Sequence, residues 1–258
     1  MANLFIFGLG YTAKRIKHRA EALGWTVFAT GSDGNVDFED EGAVTASLGV
    51  ADYVLSSVPP KDGGDPVLAR YGDYLGGLRL GYLSSTGVYG DTGGAWVDEG
   101  SPTGTGRRTA RAECDAKWLD RAAHVFRLPG IYGPGRSPFD RIREGKAHRI
   151  DLPGQVFSRV HVEDIASGVT AAMEGDASPG AYNLGDDLPC SQNRVIEHAC
   201  GLLGVDPPPL QTMDEAGLSD MARGFYAENR RVANGKAKRI LGWEPQFPTY
   251  KEGLLNLL

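Results

Sequence analysis

Short apolar runs alternate with longer mixed stretches through the first half of the chain. LFIFG (4–8) is unbroken by polar side chains and too short for a helix, which predicts a strand buried on both faces. TAKRIKHRAEALG (12–24) reads as a helix closed by Gly24. TVFAT (26–30), DYVLSSV (52–58) and LRLGYLSST (78–86) read as further strands. GRRTARAECDAKWLDRAA (106–123) is the next helix and HVFRLPG (124–130) another strand. Strand and helix alternating at this spacing predict an α/β fold, a doubly wound parallel sheet covered on both faces.

After residue 130 the texture changes: Gly and Pro become frequent and the periodic units shorten. SPFDRIREGKAHRI (137–150) predicts a helix with Phe139 and Ile142 on one face and arginines on the other. EDIASGVTAAME and CSQNRVIEHACGLLG predict two more helices, with QVFSRVHV and AYNLG as sheet-like pieces between them. The expected organisation is a domain over 1–130, rejoined by segments at about 155–185, and a smaller interleaved C-terminal lobe over 131–258. The leucines of EPQFPTYKEGLLNLL are expected to pack on the body or on a partner subunit, so a homodimer is among the expectations.

Composition narrows the class. A chain of 258 residues, 41% hydrophobic and 23% charged, is soluble and globular, and a net charge of −6 argues against nucleic-acid binding. The one basic cluster, KRIKHR (14–19), reads as the solvated face of a helix. Cys114, Cys190 and Cys200 form no CxxC, no secretory leader precedes them, and no apolar run approaches a membrane span. A cytoplasmic protein with structural thiols and no membrane contact is expected. The five histidines lie far apart, so no metal site is expected.

FIFGLGYTA carries the first candidate chemistry. Gly8, Leu9 and Gly10 follow the first strand directly, and Tyr11, Thr12 and Ala13 open the helix. One glycine permits the tight turn, the second lets backbone approach a pyrophosphate, and the small Ala13 lets helix and strand pack closely. An acidic residue after the second strand would hold the ribose hydroxyls of NAD. Here ATGSDG (29–34) supplies Ser32 and Asp33: Asp33 favours NAD, and Ser32 with its flanking glycines does not exclude NADP.

Several pieces in order match one superfamily. FIFGLGYTA, SSTGVYGD, RLPGIYGPGR (127–136), VHVEDIA (160–166), AYNLGDDLP (181–189) and KAKRILGWEP (236–245) together resemble the short-chain dehydrogenase/reductases, in particular the extended and atypical NAD-dependent epimerase/dehydratase-like members. The resemblance covers nearly the whole chain. It implies a Rossmann-type sheet, a bound nicotinamide cofactor (NAD or NADP) and a small-molecule substrate pocket between two lobes. It also implies that Ser85 polarises the substrate oxygen, with Thr86 as its neighbour and substitute; strand-end capping is the plainer role for both. The resemblance also implies cofactor contacts from Ser57, Val58 and Pro59 at the end of the third strand, from Ser84 at the end of the next, and from Pro129, Gly130 and Ile131 within RLPGIYGPGR, the segment that would line the nicotinamide and substrate.

The proton-transfer residue of that family is a Tyr four positions before a Lys on the following helix. Aligning on Ala112 and Glu113 places Thr105 and Thr109 there, and no Y-x-x-x-K occurs anywhere in the chain. An unassisted phenol titrates near pH 10 and is a poor base at neutral pH. Tyr89, four residues after Ser85, and Tyr132, with Arg136 four residues on, are the candidate replacements, each with packing as its plainer role. Arg136, Phe139, Arg159, His161 and Tyr226 are candidate substrate contacts, His161 with a structural alternative; Arg107 and Arg108 could bind an anion or face solvent. PGIYGPG lacks the Asn that often precedes this segment in sugar-nucleotide enzymes, which argues against a UDP-sugar.

Three functions follow in order. The first is an NAD(P)-binding oxidoreductase or epimerase/dehydratase-like enzyme acting on a hydroxyl or carbonyl of a small polar metabolite. The second is a catalytically inactive NAD(P)-binding redox sensor, and the third an α/β scaffold with an empty nucleotide site.

Overall fold

The computed structural model describes every residue except Arg107 and Arg108, together with all side chains but that of Met221. Its strands are β1 (Asn3–Phe7), β2 (Thr26–Ala29), β3 (Tyr53–Ser56), β4 (Arg79–Ser85), β5 (Trp96–Val97) and β6 (His124–Leu128). There follow β7 (Gly130–Tyr132), β8 (Arg149–Ile150), β9 (Arg159–His161), β10 (Gly180–Asn183), β11 (Leu210–Gln211) and β12 (Arg231–Val232). The helices are α1 (Tyr11–Ala22), α2 (Glu41–Leu48), α3 (Pro66–Tyr71), α4 (Thr109–Leu119) and α5 (Pro138–Arg143). The second half adds α6 (Val162–Glu174), α7 (Gln192–Leu203), α8 (Asp220–Tyr226), α9 (Gly235–Leu241) and α10 (Tyr250–Leu255).

β10, β6, β4, β3, β1 and β2 lie side by side in that order, all parallel. The unbroken apolar runs are explained by burial on both faces. Leu4 and Ile6 of β1 enter the core on one side, while Phe5 and Phe7 enter the core on the other, the period of two that a pleated strand imposes. α1 and α6 pack on the first side; α2, α3 and α4 supply Val44, Val67 and Trp118 to the second. This is the α/β doubly wound sheet that the pattern predicts. The chain leaves β1 for β2, then crosses back to β3 on the other side of β1. That reversal opens a crevice beyond the carboxyl ends of β1 and β3, where open α/β sheets bind ligands.

The C-terminal landmarks explain one another. Asp164, inside VHVEDIA, is buried and accepts hydrogen bonds from Gln246 N at 2.6 Å and Phe247 N at 3.1 Å. Trp243 Nε1 donates to the Asp164 carbonyl and to Ser167 Oγ, both at 3.0 Å. The two segments are thus one clamp holding the tail to α6. A separate apolar cluster joins Phe139, Val195, Ala199 and Leu254 from α5, α7 and α10. Cys114, Cys190 and Cys200 are free and buried. Among the described residues no helix is long and apolar enough to cross a membrane.

Two predicted elements differ. The helix expected over 137–150 stops at Arg143, because Gly145 takes φ +65° and turns the chain; Arg149–Ile150 then pairs with β11. Within QVFSRVHV only Arg159–His161 is strand, and it pairs with β7 outside the central sheet.

Candidate functional site

A cleft of about 720 Å³ runs from the glycine loop, past the ends of β3, β4 and β6, to α7 and α8. Its inner end could hold a phosphate. Gly8 sits at φ +84°, and a Cβ there would lie 2.9 Å from Val58 Cγ2, so this position is closed to other residues. Gly10 differs: its φ is −85°, and a Cβ would meet nothing within 4 Å. The open space above Gly10 is therefore room for a ligand. Gly10 caps α1 without a side chain, leaving the first-turn N–H groups of Tyr11, Thr12 and Ala13 without intrahelical carbonyls. Free N–H groups at the positive end of a twelve-residue helix, facing an open cradle, fit a pyrophosphate.

Neighbouring strands hold this loop. Leu9 is buried and its N–H donates to the Thr30 carbonyl at 2.7 Å; Ser57 Oγ donates to the Gly8 carbonyl. Val58 therefore acts by packing under Gly8, and Pro59 follows outside the cleft lining. Ser32 and Asp33 lie exposed on the turn after β2, also outside the lining, with Asp33 paired to Lys14 of α1.

Ser84, Ser85 and Thr86 line the middle of the cleft. They are not equivalent. Ser84 Oγ donates inward to Asp115 Oδ2 at 2.6 Å, so its proton is committed to a buried carboxylate. Ser85 Oγ accepts from Gly87 N at 3.1 Å, which leaves its own proton free. The Thr86 hydroxyl has no hydrogen-bond partner in the protein among the described residues. Behind them Asp115 of α4 holds Arg127 of β6 through two bonds, at 2.7 and 3.1 Å, with both side chains at least 97% buried. The sequence reading overlooked Arg111, one helical turn before Asp115 on the same side of α4. It lines the cleft beside the serines and donates to Tyr82 Oη at 2.9 Å, with no carboxylate partner among the described residues. Its i, i+4 relation to a sheet-facing Asp115 was the available signal.

Tyr89 is a correction. It is buried behind the cleft, outside its lining, donating to Asn183 Oδ1 at 2.8 Å and accepting from Arg127 at 3.0 Å. Burial pushes its phenol above the ordinary value despite the arginine, so it is no base.

Tyr132 is a second correction. Its ring packs edge-on against His161 at 5.1 Å, and its hydroxyl lies against Gly253, where any Cβ would collide. Burial raises its phenol too, and it faces a smaller cavity of about 320 Å³ beside the main cleft. Phe139 is fully buried in the α5–α7–α10 cluster and does not line the cleft. His161 is likewise structural: Nδ1 accepts from Glu163 N at 3.3 Å to cap α6, and burial, with the charge of Arg15, lowers its pKa to about 4. Arg107 and Arg108 lie outside the described residues.

The remaining candidates converge. Pro129, Gly130 and Ile131 form the wall facing α1, and Arg136, Arg159 and Tyr226 line the outer half. Arg136 stacks over the Tyr11 ring at 4.4 Å, while Tyr11 Oη donates to the Pro134 carbonyl at 3.1 Å, joining the glycine-loop helix to the opposite wall.

A glycine cradle at the switch point of a parallel sheet, opening on a serine-threonine edge, is the place where doubly wound folds in general bind their ligands. Solved structures agree on the fold. dTDP-glucose 4,6-dehydratase from Bacillus anthracis, in complex with NAD, superposes with TM-score 0.76 at 18% identity over 100% of this chain and 95% of that one. Human epimerase family protein SDR39U1, with NADPH, gives 0.79 at 14% identity over 98% of each chain. The fold is that of the extended short-chain dehydrogenase/reductases, the NAD-dependent epimerase/dehydratase group. Within it, the chain belongs to one family with a functionally unknown conserved protein from Silicibacter pomeroyi, 41% identical over 100% of this chain and 98% of that one, with TM-score 0.88. A 3-diazoavenalumate denitrifying reductase from Streptomyces is 30% identical over 172 residues, 62% of this chain and 55% of that protein. The match thus spans little more than half of that relative's length. No protein-family model matches the chain.

Proposed function

We propose that this protein is an NAD(P)-dependent oxidoreductase or epimerase-like enzyme acting on a hydroxyl or carbonyl of a small polar metabolite. One observation carries the reading: a single cleft joins the open cradle at Gly10 to the free hydroxyls of Ser85 and Thr86. The bound nicotinamide would supply hydride acceptance or donation at the substrate carbon. The N–H groups of Tyr11, Thr12 and Ala13 hold the phosphates, and Ile131 and Pro129 form the facing wall. Ser85 donates its free proton to the substrate oxygen and Thr86 adds a second donor. Arg111 places positive charge beside that edge, favouring an oxyanion where charge develops. Tyr89 and Tyr132 face away from the edge, so the proton passes through water at Ser85 and Thr86 rather than through a Tyr–Lys pair.

Replacing Ser85 with Ala together with Thr86 with Val should lower kcat/KM by about 10²-fold or more, while cofactor affinity stays unchanged. Unaltered turnover in steady-state assays would end this reading. A second function, a nicotinamide redox sensor without turnover, is favoured by the buried positions of both candidate tyrosines. A sensor must bind oxidised and reduced cofactor with different affinity, an enzyme need not, and paired titrations separate the two.

A further inference from the structure

The outer half of the cleft has a composition of its own. Val156, Phe157, Ile196 and Tyr226 make an apolar wall. The Phe157 ring meets Tyr226 edge-on at 5.5 Å, and the imidazole of His148 lies 6.5 Å beyond. Burial pushes the pKa of His148 down, so it extends this wall as a neutral ring. Set into the wall are two guanidinium groups, Arg141 and Arg159, and the amide of Gln192.

Among the described residues neither arginine has a carboxylate hydrogen-bonded to it. Arg159 is only 6% exposed, and its bonds go to uncharged groups: the Phe157 carbonyl at 2.9 Å, Cys190 O and Sγ at 3.1 and 3.5 Å, and Gln192 Oε1 at 3.0 Å. Asp186 feels its charge without a hydrogen bond to it. Arg141 makes a single bond among the described residues, to the Lys146 carbonyl at 3.3 Å. Among the described residues one carboxylate lines the cleft, Glu228, and it is paired with Arg230 at 3.0 Å. A chain of net charge −6 has thus gathered Arg111, Arg136, Arg141, Arg159 and Arg230 around one cleft. A desolvated guanidinium facing an apolar chamber is stabilised by an incoming carboxylate, which it can bind through two bonds.

We propose that the substrate is a carboxylate with an aromatic or branched apolar body, its anionic end on Arg141 and Arg159 and its body against Phe157, Ile196 and Tyr226. This rests on the reading of the cleft as an oxidoreductase site and names the substrate class. The hydroxyl or carbonyl to be transformed then lies at the far end, toward Ser85. A nucleotide sugar fits this chamber poorly. Sugar hydroxyls placed against Val156, Phe157 and Ile196 would find no hydrogen bonds there, a cost of roughly 1–3 kcal/mol for each group left unpaired.

The test is calorimetric titration of the full-length protein, first with each nicotinamide cofactor and then, at saturating cofactor, with 3-phenylpropanoate, 3-phenylpropanamide, acetate and UDP-glucose. Phenylpropanoate should bind at least tenfold tighter than its amide and tenfold tighter than acetate. Arg141→Gln should remove at least tenfold of that affinity, while Arg143→Gln, outside the cleft, should not. Cofactor binding in each variant reports that it is folded. Equal binding of acid and amide, or binding of UDP-glucose without the acid, overturns the proposal. Cofactor binding with no acid binding overturns it as well, leaving the oxidoreductase reading intact. Failure of all four cofactors to bind overturns that reading instead.

Discussion

Gly8 and Gly10 are the same residue type two positions apart, yet they answer to different physics. At Gly8 the backbone is left-handed and Val58 fills the space where a side chain would go. Gly8→Ala should therefore cost about 1–3 kcal/mol in urea denaturation, from strain and overpacking together. At Gly10 the backbone is extended and the space is open, so Gly10→Val should change stability by less than about 1 kcal/mol while filling the phosphate cradle. Asp186 gives a prediction in pH. Burial raises its carboxyl from 3.8 to about 7, so the folded chain holds a proton between those values that the unfolded chain has released. Its contribution to stability is present at low pH and declines as pH rises toward 7. Asn cannot ionise, so Asp186→Asn should gain stability relative to wild type between pH 4 and pH 7; a flat difference across urea melts in that window contradicts the assignment. The glycine loop was legible in sequence because its logic is local. Tyr89 was not, because Arg127 and Asn183, which fix where its hydroxyl points, lie 38 and 94 residues away.

At the scale of elements, the serine edge is held in place from behind. α4 and β6 are joined by the Asp115–Arg127 pair, and Ser84 hangs β4 on the same carboxylate. Breaking a buried pair by removing one partner leaves an uncompensated charge, so Asp115→Ala should cost roughly 3–5 kcal/mol in urea denaturation. A loss below 1 kcal/mol would mean that water or another group satisfies Arg127. The central strands were readable because their apolar runs are buried on both faces, and α1 and α6 because each carries one apolar face. The stretch over 137–150 misled because Phe139 and Ile142 sit at helical spacing while Gly145, amid charged residues, ends the helix through its φ. The clamp between Asp164 and the segment around Phe247 lay beyond local reading as well, since it spans 83 positions of sequence.

Taken as one molecule, the chain is acidic outside and cationic within its cleft, and the two ends of that cleft do different work. The inner end is backbone, Gly10 and the first turn of α1. The outer end is side chain, arginines in an apolar wall. Sequence order revealed the first, because a glycine motif after a strand has few other uses. It did not reveal the second, whose residues come from α5, α7, α8 and the segment around Phe157 and meet only in the folded lobe. The proposed function depends on a dinucleotide occupying the inner end. The decisive measurement is the thermal unfolding midpoint of wild type and Gly10→Val with NAD, NADH, NADP and NADPH in separate titrations. At a hundredfold its dissociation constant, a ligand stabilises by about 2.7 kcal/mol, roughly 5–10 °C for a chain of this size. The account predicts such a shift for wild type with at least one cofactor and none for Gly10→Val, whose own midpoint stays near that of wild type. No shift with any of the four, or an equal shift in the variant, would contradict it.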